Sequence, residues 1–306
     1  MKYTKIIVTG GSGMVGKSLQ KILPNAIYLS SKDYNLYNEA DVINMYSTLQ
    51  PDCVIHLAAK VGGIMDNINH PGIYYTQNIL MNTLLIEYAR IYNVKRFIGI
   101  LSTCIYPDQL ELYPLKESDL HLGPPTPTNF SYGYAKRSMA VQIDSYNKEF
   151  HTNYQYLIPS NMYGEYDKFD DKTSHFVASL IKKIHYAKLN NENKITLFGT
   201  GNPLRQFMHS DDFAYIIKYF IENDIFENLN VCSNETYTIK EIATIALSAC
   251  NATHLKIEFD SNFPDGQYRK DVSMNALKNI LPEFNPIDLH TGIQQTYDYI
   301  VKNNIL

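Results

Sequence analysis

In the stretch SYGYAKRSMA, Tyr132 and Lys136 stand four residues apart, and a third polar residue, Ser102, closes the apolar run RFIGILS. A phenol can hand a proton to a ketone oxygen as it becomes an alcohol, and a serine hydroxyl can hold the same oxygen. An ammonium beside the phenol favours the phenolate and draws its pKa down from about 10 towards the working range. Ser102, Tyr132 and Lys136 therefore suit a hydride-transfer reaction. The spacing alone carries little weight, because 25 tyrosines and 22 lysines in 306 residues give about two such pairs by chance. The chain holds two, the other being Tyr28 with Lys32.

The elements around the two pairs separate them. After Tyr132, apolar Met139, Ile143, Tyr146 and Phe150 recur at helical spacing, which predicts a helix with Tyr132 and Lys136 one turn apart on one face. Tyr28 lies inside the short apolar run AIYLS and Lys32 in the turn that follows, so those two share no helical face. Five runs, KIIVTG (5–10), AIYLS (26–30), CVIHLAA (53–59), RFIGILS (96–102) and YQYLIPS (154–160), predict strands buried on both faces, with helices between them. This alternation predicts a doubly wound parallel Rossmann sheet over residues 1–160, with later segments free to return to it. A smaller C-terminal substrate-binding α/β lobe is expected over 161–306. Its elements are a helix near 174–189, the strand ITLFG, a helix beginning after HSDD, the helix TIKEIATIALSAC and the strand KIEF. Open α/β sheets bind ligands beyond the carboxyl ends of their strands, which is where Ser102 falls. The Pro- and Asp-rich stretches at 107–129 and 260–271 read as functional loops.

The first strand runs into Thr9-Gly10-Gly11-Ser12-Gly13-Met14-Val15-Gly16 and then a helix. Glycines there allow a tight turn and close backbone approach to a pyrophosphate, and the helix N-terminus offers amides to the anion. At the end of strand one in an α/β chain this pattern predicts a dinucleotide site built from Gly10, Gly13, Met14, Val15 and Gly16. An acid after the second strand would favour NAD through the ribose hydroxyls. Here Ser30, Ser31 and Lys32 supply donors and positive charge, which points to NADP, with Asp33 as the residue that would serve NAD instead.

Composition narrows the partners. A net charge of −4 with interspersed signs gives no footprint for nucleic acid or for a membrane surface, and no segment is apolar enough to span a bilayer. The apolar run in MKYTKIIVTGG is too short for a signal peptide, so a cytoplasmic location is expected. Cys53, Cys104, Cys232 and Cys250 are widely spaced and suggest neither a disulfide framework nor a metal site.

Several segments together give the chain a specific resemblance: AAKVGGI (58–64), STCIYP (102–107), the Tyr132/Lys136 pair, SNMYG (160–164), TSHFVASLIKK (173–183), GNPLRQFMHSDD (201–212) and PDGQYRKDV (264–272). In these the chain resembles the extended short-chain dehydrogenases/reductases and, among them, the GDP-L-fucose synthase family. The resemblance implies NADPH-dependent reduction of the C4 ketone of a GDP-4-keto-6-deoxy sugar, hexose or heptose, either alone or with epimerisation at C3 and C5, for which Cys104 and His175 are the candidate acid/base pair. It implies that Ala58, Asn161 and His175 join Lys136 around the cofactor, and that Lys183, Arg205, Asp265 and Arg269 hold the GDP-sugar. A homodimer formed through the helices near 76–92 and 131–150 is also implied. Asn35 and Asn38 depart from the acidic pair that often follows strand two in the family. Thr103 and Cys104 stand where the family's dehydratases carry an acid pair after the serine.

Overall fold

The structure, a computed structural model, describes residues 2–170, 174–263 and 265–306. Thr173 and Pro264, which open two of the segments quoted above, lie outside the described residues.

The strands in chain order are β1 (Ile6–Thr9), β2 (Ile27–Leu29), β3 (Cys53–His56), β4 (Arg96–Ile100), β5 (Tyr154–Pro159), β6 (Asn161–Tyr163), β7 (Lys194–Phe198), β8 (Leu204–Arg205), β9 (Phe207–His209), β10 (Leu229–Val231), β11 (Tyr237–Thr238) and β12 (Lys256–Asp260). The α-helices are α1 (Met14–Ile22), α2 (Glu39–Leu49), α3 (Ile64–Asn69), α4 (Pro71–Ile91), α5 (Phe130–Phe150), α6 (Phe176–Leu189), α7 (Ser210–Glu222), α8 (Ile239–Ala249), α9 (Asn275–Ile280) and α10 (Leu289–Lys302).

The five predicted strands form one parallel sheet, joined at its edge by β10, in the order β10-β5-β4-β3-β1-β2. Every residue of β1, β3, β4 and β5 is buried, as consecutive apolar residues covered by helices on both faces require. The sixth strand was not foreseen. LNV is three residues long and flanked by asparagines and acids, so its pattern is weak. Its place is fixed by tertiary partners: the Gln155 amide nitrogen donates to the Glu227 carbonyl and the Tyr156 amide to Asn228 Oδ1.

Two hydrophobic cores lie under these elements, and residue 160 does not divide them. The first core collects the sheet together with Met208, Phe213, Ile217, Phe220, Val231 and Leu277 from α7, α9 and the strands beside them. The second gathers Val177, Ile181, Ile195, Leu197, Ile242, Ala246 and Ile293 from α6, β7, α8 and α10. The chain thus crosses into the smaller lobe, returns through β9, α7 and β10, and crosses again. The seam is a short parallel pair, β6 with β9, in which Asn161 faces Phe207 and Tyr163 faces His209. α7 starts earlier than the sequence suggests, at Ser210 rather than after the acids. His209 caps it by accepting from the Asp211 amide, and Asp211 and Asp212 occupy the first turn, where the helix dipole favours negative charge.

Candidate active site

The glycine turn after β1 has the form a dinucleotide requires. Gly10 holds φ +72, and a Cβ there would sit 2.7 Å from the Ala58 amide nitrogen. A Cβ on Gly16 would meet the Gly11 carbonyl oxygen at 2.5 Å, so α1 can lie this close to the turn only without a side chain at that position. Gly13 is the N-cap and supplies no side-chain acceptor, which leaves the first-turn amides at Met14, Val15 and Gly16 for an anion. These residues fit a pyrophosphate. Beyond β2, Ser30 is arranged differently from its expected role: its amide and hydroxyl both donate to the Asp33 carboxylate at 2.7 Å, and the Lys32 amide donates to the Ser30 hydroxyl at 3.2 Å. These bonds hold the Asp33 carboxyl below its usual range and close the turn on itself. The Lys32 side chain is exposed at its rim.

The carboxyl end of β4 carries the central constellation. Ser102 opens a 3-10 turn over Thr103–Ile105, its hydroxyl accepting from the Cys104 amide at 3.3 Å. α5 is tied to that turn by Arg137, which donates through Nε to the Ile105 carbonyl and through Nη1 to the Gly123 carbonyl, each at 2.8 Å. Tyr132 and Lys136 lie one turn apart on α5, as expected. Lys136 is 2% exposed, and its ammonium donates to the Ile100 carbonyl at 2.8 Å. Burial brings its pKa down to about 7. Tyr132 differs from the expectation. Burial, with the Cys104 charge, raises its phenol above the ordinary range, and only the hydrogen bond with Ser102 opposes this. Lys136 does not lower it here: its amine is directed to a backbone carbonyl and, with a pKa of about 7, has lost its charge before the phenol titrates.

A buried relay sets the position of that helix. Thr9 Oγ1 and His56 Nδ1 lie 2.8 Å apart, His56 Nε2 and Asn82 Oδ1 3.0 Å, and Asn82 donates to the Ala135 carbonyl at 3.2 Å. This chain of contacts spans β1, β3, α4 and α5 and ends beside Lys136. His56 is fully buried, and burial with the Lys136 charge pushes it down to about 3, so the imidazole is neutral and acts by hydrogen bonding.

Cys104 is half-buried and its sulfur receives two donors, Lys270 Nζ and Asn129 Nδ2, each at 3.0 Å. Burial alone would push the thiol up. The Lys270 charge and the hydrogen bonds from Ser102, Lys270 and Asn129 outweigh it and hold the thiol below its ordinary range. His175 sits at the N-cap position of α6 but its ring does not cap the helix. Its Nδ1 lies 2.8 Å from Asp167 Oδ1, and this hydrogen bond raises its pKa against burial, with a smaller contribution from the Cys104 charge. His175 and Cys104 are thus within electrostatic reach of each other, with no bond joining them.

The remaining expected residues divide. The Arg205 guanidinium donates to the Leu204 carbonyl at 2.8 Å, and burial lowers it while the charges of Cys104 and Asp265 act the other way. Its Nη2 lies 3.8 Å from where a Gly266 Cβ would be. Lys183 donates to the Thr196 carbonyl at 2.7 Å and lies over the Phe198 ring, on the outer part of the smaller lobe. Asp265 binds the Thr200 amide and hydroxyl, pinning its loop to the turn after β7. Arg269 is engaged by Asp271 through Nε and Nη2 and lies over the Tyr113 ring, so its fork is already occupied. Asn161 donates to the Gln206 carbonyl across the seam. Lys270, Asn129, Asp167, His56 and Asn82 were not singled out from the sequence. Lys270 lay within the quoted segment PDGQYRKDV, next to the arginine chosen instead. Elsewhere, Glu165, His209 and Asp211 gather at the seam, where the Lys21 ammonium holds Asp211 at 2.9 Å.

The relatives fit this arrangement. The model of the NAD dependent epimerase/dehydratase family matches residues 6–232. A GDP-L-fucose synthase of Dictyostelium discoideum is 33% identical, covering 97% of this chain and 95% of its own length. A GDP-L-colitose synthase of Yersinia pseudotuberculosis is 32% identical over 98% of this chain and 99% of its own. The crystal structure of a GDP-L-fucose synthetase from Naegleria fowleri bound to NADP superposes with a TM-score of 0.88 at 31% identity, covering 98% of this chain and 93% of that one. With the glycine turn, the serine at the end of β4 and the tyrosine–lysine turn of α5 in place, the chain belongs to the NAD dependent epimerase/dehydratase family, among the GDP-L-fucose synthases and their relatives.

Proposed function

We propose that this protein reduces the C4 ketone of a GDP-4-keto-6-deoxy sugar with NADPH and epimerises the same sugar at C3 and C5. The observation that carries the reading is the meeting of two kinds of chemistry at the end of β4. Ser102, whose hydroxyl accepts from the Cys104 amide at 3.3 Å, and Tyr132 at the start of α5 make up the ketone-oxygen site, with Cys104 two residues beyond the serine. The names of the curated relatives supply the GDP-sugar class.

NADPH, when bound along Gly10–Gly16, supplies the hydride. Ser102 and Tyr132 hold the ketone oxygen, and Tyr132 gives it a proton as the carbonyl becomes an alcohol. A raised phenol pKa suits this direction, because it keeps Tyr132 protonated until the alkoxide forms. Before reduction the ketone acidifies the hydrogens at C3 and C5. The Cys104 sulfur takes such a proton, breaking the C–H bond and sending its electron pair to the ketone oxygen. His175, whose bond to Asp167 raises its pKa, returns a proton to the opposite face. Arg205, beside the Asp265–Lys270 loop, is placed for the diphosphate.

Exposed apolar side chains on α4 and α5, among them Leu80, Ile91, Val141 and Phe150, support a homodimer through these helices. Among the described residues no helix is long and apolar enough to cross a membrane. The four cysteines are all free, which supports a reducing, cytoplasmic setting.

The test is incubation with NADPH and GDP-4-keto-6-deoxymannose, or its heptose analogue, in deuterated water, followed by NMR of the product. The expected product carries deuterium at C3 and C5 and an inverted ring. A reduced product without deuterium would leave a reductase alone, and an unreduced ketone would overturn the proposal.

A further inference from the structure

The loop after Asp265 does more than border the substrate space: it delivers a cation to a sulfur. Lys270 Nζ and Asn129 Nδ2 approach Cys104 Sγ from different elements, each at 3.0 Å, one from the loop leading to α9 and the other from the residue preceding α5. Both are donors and neither carries an acceptor lone pair on the atom presented, so the pair is matched to an anionic sulfur. Lys270 has a choice of neighbours, since the Asp271 carboxylate is next to it in sequence. That carboxylate is taken instead by Arg269. The alternation sends one cation of the Arg-Lys pair to the carboxylate and leaves the other for the thiol.

We propose that Lys270, assisted by Asn129, is the positioning residue that holds Cys104 as a thiolate, so that the Asp265–Lys270 loop arms the base of the reaction. The loop is anchored at its other end by Asp265 on Thr200, and Gly266 lies against Arg205. Whatever disorders this loop therefore withdraws the counter-charge from the sulfur. The other ionisable groups within electrostatic reach of the thiol are Tyr132 from α5, Arg205 from β8 and His175 at the start of α6. Tyr132 is neutral at working pH. Arg205 adds positive charge, and His175 does so when it is protonated, neither with a bond to the sulfur.

The catalytic use of the thiolate rests on the proposed function, but its existence does not. The test needs neither cofactor nor sugar: the rate of iodoacetamide alkylation of the whole protein against pH, read at the Cys104 peptide by mass spectrometry. Cys53, Cys232 and Cys250 serve as internal controls, since burial encloses them and raises their thiols. In the wild type, Cys104 alkylation should reach half its maximum below the ordinary thiol value of about 8.5. Lys270→Met should raise that midpoint by about 1 to 3 units, the range for losing an opposite charge in contact. Asn129→Leu should raise it less, and Lys270→Arg should keep it low. Circular dichroism of each variant separates unfolding from a chemical effect, and Asn129→Leu with Lys270→Arg decides the matter should Lys270→Met unfold. A midpoint unmoved by Lys270→Met, or moved equally by Met and Arg, would overturn the charge role. In the unfolding case, an unmoved Asn129→Leu together with a raised Lys270→Arg would do so.

Discussion

Tyr28 with Lys32 and Tyr132 with Lys136 have the same spacing and the same two side chains, yet the fold makes different objects of them. Tyr28 lies on β2, where its hydroxyl donates to the Leu23 carbonyl at 2.9 Å and burial raises it to about 12. Lys32 lies in the turn beyond, exposed, with its backbone tied to Ser30. Tyr132 and Lys136 share one face of α5, at the end of the strand that carries Ser102, with the lysine fully enclosed. A pair of residue types at a fixed spacing becomes chemistry only where its element aims both at the same space. The first pair anchors a strand and borders a cofactor turn. The second faces the proposed reacting ketone.

Substitutions at the four positions should sort by that difference. The largest effect is expected for Tyr132→Phe, which should lower kcat by about 10²-fold or more with NADPH affinity nearly kept, the scale of a positioned acid. Steady-state kinetics and a cofactor titration would show it, and a similar loss of kcat in Tyr28→Phe would erase the distinction. Lys136→Met comes next, read as stability. The folded pKa of Lys136, about 7, lies below its unfolded value near 10.4, so below pH 7 the wild type bears the full cost of an enclosed ammonium. Between pH 7 and 10 the unfolded chain holds the extra proton, and the wild type gains stability relative to Lys136→Met. Denaturant titrations should find the gap between the two changing by on the order of 4 kcal/mol from pH 6 to pH 10, about 1.4 kcal/mol for each pH unit between the two pKa values, and a pH-independent gap would contradict the burial of charge. Lys32→Ala should reduce kcat/KM for NADPH by about 10-fold and leave NADH use unchanged, as loss of one charge-assisted phosphate contact predicts. Equal effects on the two cofactors would shift the selecting role to Asp33. The smallest effect belongs to Tyr28→Phe, about 1 kcal/mol of stability for one lost hydrogen bond, with kcat unaltered.

The parts of the molecule governed by local pattern were legible beforehand. Consecutive apolar residues marked β1, β3, β4 and β5 because both faces are covered, and the glycines after β1 marked a turn that no other residue enters without collision. What escaped reading depends on distant pairing. β10 is a strand because β5 offers it an edge, not because of its three residues. Lys270 meets Cys104 across 166 positions, and its choice of the sulfur follows from Arg269 occupying Asp271. The direction of the Tyr132 shift was missed for a related reason: a lysine one turn away on a helix can aim its ammonium elsewhere, and Lys136 aims at Ile100. Ser30 likewise shows a donor used by its own turn, through Asp33 three residues on.

The most direct test of Tyr132, Lys136 and Ser102 as a ketone-reducing set is the balance between NADPH oxidised and C4-reduced sugar formed from GDP-4-keto-6-deoxymannose, measured for the wild type and Tyr132→Phe. The expected result is stoichiometric, with each molecule of product matched by one of NADP and with both formed about 10²-fold more slowly in the variant. Turnover of the sugar with no net oxidation of NADPH, or a variant as fast as the wild type, would contradict it.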